Sequence, residues 1–196
     1  MSPLRGKDCV NLCIGEYWAS REPAVISTLL GSCVGVCLFD CRSRIGGMNH
    51  ILLPGEADMG RFDDVARYGV NAMELLINTI LNLGGAKRSL VAKVFGGAHV
   101  LPALSGSFAK MGEANVTFAF EFLEKESIPV VNADVGGREP RKIYFHTDTN
   151  DVFLRRVPCR VYPREEDWRI PLLERDISKA GEITFFDSSK DDEEGV

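Results

Sequence analysis

The chain has 196 residues, 45% hydrophobic and 26% charged, with a formal net charge of −5. That is the length and balance of one globular domain with a core of its own. The acidic balance argues against non-specific nucleic-acid binding as the main role. No apolar run approaches a membrane-spanning length, and the opening MSPLRGKDCVNLC lacks the apolar centre of a secretion signal. The expected compartment is the cytoplasm, with no direct membrane insertion.

Taken in chain order, residues 10–14 and 24–30 read as short buried strands, with a break at Gly15, Glu16 and Tyr17. Residues 33–39 (CVGVCLF) and 47–53 (GMNHILL) form two arms of a predicted hairpin around the polar stretch Asp40–Arg44. From Arg61 to Leu83 apolar residues recur at three- and four-residue spacing until Gly84-Gly85, the pattern of an amphipathic helix. Leu90–Phe95 reads as a strand. Asn115–Lys125 reads as a second helix, with Asn115 as its N-cap. Ile128–Val135 reads as a strand, and Arg141–His146 and Val152–Val157 as a hairpin around DTND. Interleaved helices and strands predict an α/β class: a single domain with one mixed, largely antiparallel sheet covered by helices. The boundaries expected are a domain over 1–160 and a charged extension over 161–196, whose acidic end reads as disordered.

Six cysteines stand at 9, 13, 33, 37, 41 and 159. Their C-x3-C spacing is not that of a zinc site, and along a strand Cys33 and Cys41 would lie about 26 Å apart. Most are therefore expected to be reduced, small apolar core residues, and no metal or organic cofactor is expected.

Chemistry concentrates in TLLGSCVGVCLFDCRSRIGGMNHILLP, residues 28–54. A thiol, Cys33, and an imidazole, His50, are the minimum pair for nucleophilic attack on a carbonyl carbon. A turn centred between Cys41 and Arg42 would set them opposite or one step off, with Cβ atoms about 5 Å apart and a thiol–imidazole hydrogen bond between them. An imidazolium beside Cys33 would lower the thiol pKa. Ser27 and Thr28 are hydroxyl candidates for orienting the base. Gly31 and Ser32 let backbone approach a reacting carbonyl, with N–H groups around Ser32 and Cys33 as oxyanion donors. His99, after Phe95-Gly96-Gly97-Ala98, is an alternative base, and His146 reads as structural. The glycine pairs at 96–97 and 136–137 match no phosphate-binding pattern and read as turns.

The run TLLGSCVGVCLFD followed by GGMNHILLP closely resembles the CheD family of chemoreceptor glutamine deamidases. The resemblance continues through GEY (15–17), RYGVNAMELL (67–76), FGGA (95–98), NADVGG (132–137) and RKIYF (141–145), covering about residues 10 to 157. It implies an α/β sandwich with a central mixed sheet, and a protein-glutamine glutaminase that hydrolyses glutamine side chains on chemoreceptor cytoplasmic helices to glutamate. It maps the nucleophile onto Cys33 and the base onto His50. It places the third residue, usually Thr, at Ser27 by position, while Thr28 fits it by type. It also implies a CheC-type chemotaxis phosphatase as a partner. The residues alone leave two other readings open: a receptor methylesterase using the same Cys–His pair, and a non-catalytic adaptor that binds the phosphatase.

Overall fold

A computed structural model describes residues 7–53, 62–100, 107–157 and 183–186. The strands are β1 (Asp8–Asn11), β2 (Tyr17–Ser20), β3 (Ala24–Leu30), β4 (Val34–Asp40), β5 (Ile45–Ile51), β6 (Leu90–Gly96), β7 (Val130–Val135), β8 (Arg141–His146), β9 (Val152–Arg156) and β10 (Ile183–Phe186). The helices are α1 (Phe62–Asn82) and α2 (Ser107–Lys125).

The class is α/β, as expected, but the strands form two sheets rather than one. The outer sheet runs β1-β3-β8-β9-β10 and the central sheet β2-β5-β4-β6-β7. Each has one parallel pair at an edge, β1/β3 and β6/β7, and is otherwise antiparallel. Both helices contact the central sheet. On that side Val34, Val36 and Leu38 of β4 pack with Met73, Leu76 and Ile80 of α1 and with Ala119 and Leu123 of α2. The opposite face carries Cys37, Phe39 and Met48. These pack with Ile26, Leu30, Ile143, Phe145 and Leu154 of the outer sheet. Every residue of β4 and β5 is buried, which is why these strands read as continuous apolar runs rather than alternating ones.

Local readings differ in four places. Tyr17–Ser20, read partly as a break, is an edge strand paired with β5. The second helix begins at Ser107, so Asn115 lies in its interior, fully buried, and is not an N-cap. Strand β10 pairs with β9 inside the segment expected as a charged extension. Cys9, Cys13 and Cys41 are exposed, so only Cys33 and Cys37 fit the core reading among the described residues. Cys159 and the tail after residue 187 lie outside the described residues. No helix of the described residues is long and apolar enough to cross a membrane.

Candidate functional site

The β4–β5 hairpin sets the site. Gly35 faces His50 and Asp40 faces Ile45, so the turn is centred between Arg42 and Ser43. The register is offset by two residues from the one that would put Cys33 opposite His50. Cys33 precedes β4 and lies diagonal to His50. The offset is even, so the two positions still share a face; an odd slip would have put them on opposite sides of the sheet. Diagonal positions on an antiparallel pair are separated by about 7–8 Å, more than directly opposed ones. The expected thiol–imidazole hydrogen bond is not formed: His50 Nε2 is buried and has no hydrogen-bond partner among the described residues.

The other imidazole nitrogen is held from the outer sheet. Thr28 Oγ1 lies 2.8 Å from His50 Nδ1 and donates to the Leu12 carbonyl at 2.8 Å. A hydroxyl has one proton, and here it goes to Leu12. Nδ1 must therefore donate to Thr28, which leaves the Nε2 lone pair free. Ser27 points elsewhere, its Oγ donating to Asn11 Oδ1 at 3.2 Å. Gly35, opposite His50, packs closely against the outer sheet. A Cβ there would stand 3.2 Å from Leu30 Cδ1, already tight. The His50 backbone is fixed as well, its N–H donating to Glu16 and its carbonyl accepting from Gly15.

The loop bearing Cys33 is held by its carbonyls. Gly31 O accepts from Ala98 N, Ser32 O from Asn115 Nδ2 and Cys33 O from Gly97 N. Gly96 lies directly under this loop at φ +113, and a Cβ there would clash with Cys33 O, so only glycine fits. Arg141, 1% exposed, donates Nη1 to the carbonyls of Gly96 and Asp134 and Nη2 to that of Gly136. The two glycine pairs are thus turns, at positive φ, and one guanidinium staples them together.

Electrostatics here is dominated by burial. Loss of solvent pushes the Cys33 thiol up to about 11 and His50 down to about 4. The expected lowering of the Cys33 pKa is not found: loss of solvent raises the thiol by more than its own backbone N–H lowers it. Near neutral pH the buried thiol and the buried imidazole are therefore both uncharged. Such a pair can pass a proton from sulfur to nitrogen as sulfur attacks a carbonyl carbon.

Two further histidines lie among the described residues. His99 follows β6 with its N–H on Gly137 O. His146 ends β8, 3.2 Å from Lys7 Nζ and tilted against Phe153. No grouping of three His, Cys, Asp or Glu among the described residues could hold a metal ion. Sequence reasoning missed Arg141 and misread Asn115. For Asn115 the available signal was polarity on an apolar stripe, four residues before Ala119 on the buried face of α2; Arg141 stands in the polar stretch GGREPRK, where no such signal exists.

Comparison with known proteins identifies the relatives of this chain. A family profile described as CheD chemotactic sensory transduction matches residues 52–156. A probable chemoreceptor glutamine deamidase CheD 1 of Shewanella oneidensis is 41% identical over 186 residues, spanning 92% of this chain and 88% of the relative. The protein of the same description from Geobacter sulfurreducens is 42% identical over 160 residues, 79% of this chain and 80% of the relative. That of Albidiferax ferrireducens is 45% identical over 150 residues, 76% and 62% respectively.

Proposed function

The chain belongs to the CheD family, and from that premise we propose that it deamidates glutamine side chains of chemoreceptors to glutamate, with Cys33 as nucleophile and His50 as base. The observation that carries the reading is the His50 side chain, anchored through Nδ1 by Thr28 and carrying a free Nε2 on the face it shares with Cys33.

The steps follow from the resting protonation. Cys33 Sγ attacks the amide carbon while His50 Nε2 takes the thiol proton, and a C–S bond forms. The oxyanion faces N–H groups of the Gly31–Cys33 loop. Among the described residues, neither the Ser32 nor the Cys33 N–H donates to a backbone carbonyl. Collapse breaks the C–N bond, and His50 returns its proton to the departing ammonia. Water, deprotonated by His50, then attacks the thioester. The C–S bond breaks, the thiol regains its proton and glutamate leaves. A CheC-type phosphatase is the partner that the family reading adds.

Incubation with a purified receptor cytoplasmic fragment tests the reading. Ammonia release with a mass gain of about one dalton per site marks exchange of NH for O through the acyl-enzyme route. Loss of a methyl ester without ammonia would replace deamidation by the methylesterase reading.

Two further outcomes separate roles within the site. Thr28→Val removes the acceptor for Nδ1–H and should lower kcat by about a hundredfold, the scale of general-base catalysis. Ser27→Ala should leave kcat near wild type; the reverse pattern would move the third role to Ser27. The acid limb of the kcat–pH profile should fall as pH drops through about 4, well below the ordinary imidazole value. Stability follows the same group. Its pKa is depressed in the fold, so the unfolded chain binds the extra proton. Folding free energy is retained above about pH 6.5 and lost as pH falls toward 4. A profile midpoint at 6 or above would contradict a buried, neutral base.

A further inference from the structure

The hairpin opens at one defined place. Gly97 N donates to Cys33 O, so the Cys33 carbonyl points at β6. Polar groups alternate sides along a strand, so the Ser32 carbonyl points at β5. Continuing the register past Val34↔Ile51 would bring Cys33 opposite Leu52, and Ser32 opposite Leu53. In an uninterrupted ladder Leu53 N–H would donate to Ser32 O. Instead, the side-chain amide of Asn115 stands between them. Leu53 N donates to Asn115 Oδ1 at 2.7 Å, and Asn115 Nδ2 donates to Ser32 O at 3.0 Å. One amide has replaced one backbone hydrogen bond with two, and the strands are held apart by its width.

Resting on the reading of Cys33 as nucleophile, we propose that Asn115 is a positioning residue: its amide wedges the β4–β5 seam open beside Cys33, keeping the thiol and the adjoining N–H groups out of the ladder. Three observations fit no simpler role. Asn is a poorer helix former than Ala or Leu, yet this one is interior to α2 and fully buried. Both ends of its amide are used, one on the thiol's arm and one on the imidazole's arm. The wedge acts one residue before Cys33 and three residues after His50. Without it, the seam can zip by a further pair and draw Cys33 into the regular strand, where ladder hydrogen bonding competes for the donors an oxyanion needs.

The experiment compares wild type, Asn115→Ala, Asn115→Asp and Cys33→Ala, measuring kcat and KM for ammonia release from a receptor fragment and, separately, alkylation of Cys33 by iodoacetamide with and without His50→Ala. Asn115→Ala should lower kcat by roughly tenfold to a hundredfold, the scale of an ångström-size misplacement, with KM little changed. The drop in Cys33 labelling on His50→Ala should shrink in the Asn115→Ala background, since the thiol and base no longer share a fixed geometry. Asn115→Asp keeps the shape, and burial raises a carboxyl pKa. Ionised, it repels Ser32 O; protonated, it donates to it. Its kcat relative to wild type should therefore rise as pH is lowered from 8 to 5, which keeps the test open even if the Ala variant does not fold. Wild-type kcat in Asn115→Ala, or a flat ratio in Asn115→Asp, overturns the proposal. Full ammonia release by Cys33→Ala overturns the nucleophile assignment instead.

Discussion

Cys33→Ala is expected to abolish ammonia release, with kcat down by at least about a thousandfold, because no route to the thioester remains and positioning alone leaves only a residual rate. The fold should tolerate the change. Cys33 is small, 8% exposed and sits at the rim of the inter-sheet core, so removing its sulfur should cost about 1 kcal/mol. The contrast is the informative part: an inactive protein with a near-native melting curve locates the loss in chemistry. Resting reactivity should show the same neutral pair. With the thiol pushed up to about 11, iodoacetamide should label Cys33 slowly at pH 7, and faster as pH rises. Fast labelling at pH 6 that is already at its plateau would mean a preformed thiolate, and the proton transfer to His50 would then precede substrate rather than accompany attack. A Cys33→Ala protein that still released ammonia at the wild-type rate would remove the proposed mechanism altogether.

Arg141→Met should produce the largest loss of stability, about 3–5 kcal/mol, as for other disrupted buried charge networks. Arg141 is buried in the β6–β7–β8 region, and its guanidinium serves the carbonyls of Gly96, Asp134 and Gly136 and pairs with Asp134 at 3.3 Å. Methionine fills comparable volume but donates nothing. Those carbonyls lose their guanidinium donors, and Asp134 is left with its contact to Arg156. For a chain of this size the melting temperature should drop by roughly 10 °C. Arg141→Lys should recover only part of this, since an ammonium cannot reproduce a planar fork reaching several carbonyls. Urea unfolding of the two variants measures it; a loss under 1 kcal/mol for Arg141→Met would mean the turns hold themselves. Activity should fall with stability, because Gly96 lies directly under the Cys33 carbonyl and Gly97 donates to it.

The chain's local patterns determined a good deal by themselves. Apolar runs bounded by Gly, Asp and Pro located β3 without error and β4, β5 and β6 to within about two residues, and three- and four-residue spacing located α1. The GSC and GGMNH segments marked where the thiol and imidazole stand. These features are legible because they depend on residues near one another in sequence. What failed depended on distant partners. A continuously apolar strand says that both faces are covered but not by what, so the second sheet behind β4 and β5 was invisible until β3 and β8 packed on it. Hairpin register was a matter of two residues, and composition does not set that. Ser27 and Thr28 were equivalent hydroxyls in the sequence; the pleat of β3 turned one toward His50 and the other toward Asn11. Asn115 looked like a helix start because polar residues usually stay out of buried stripes, and only the tertiary structure brought Ser32 and Leu53 to either side of its amide. The protonation of the pair was likewise decided by the fold: sequence supplies a thiol and a ring, but burial between two sheets keeps both uncharged.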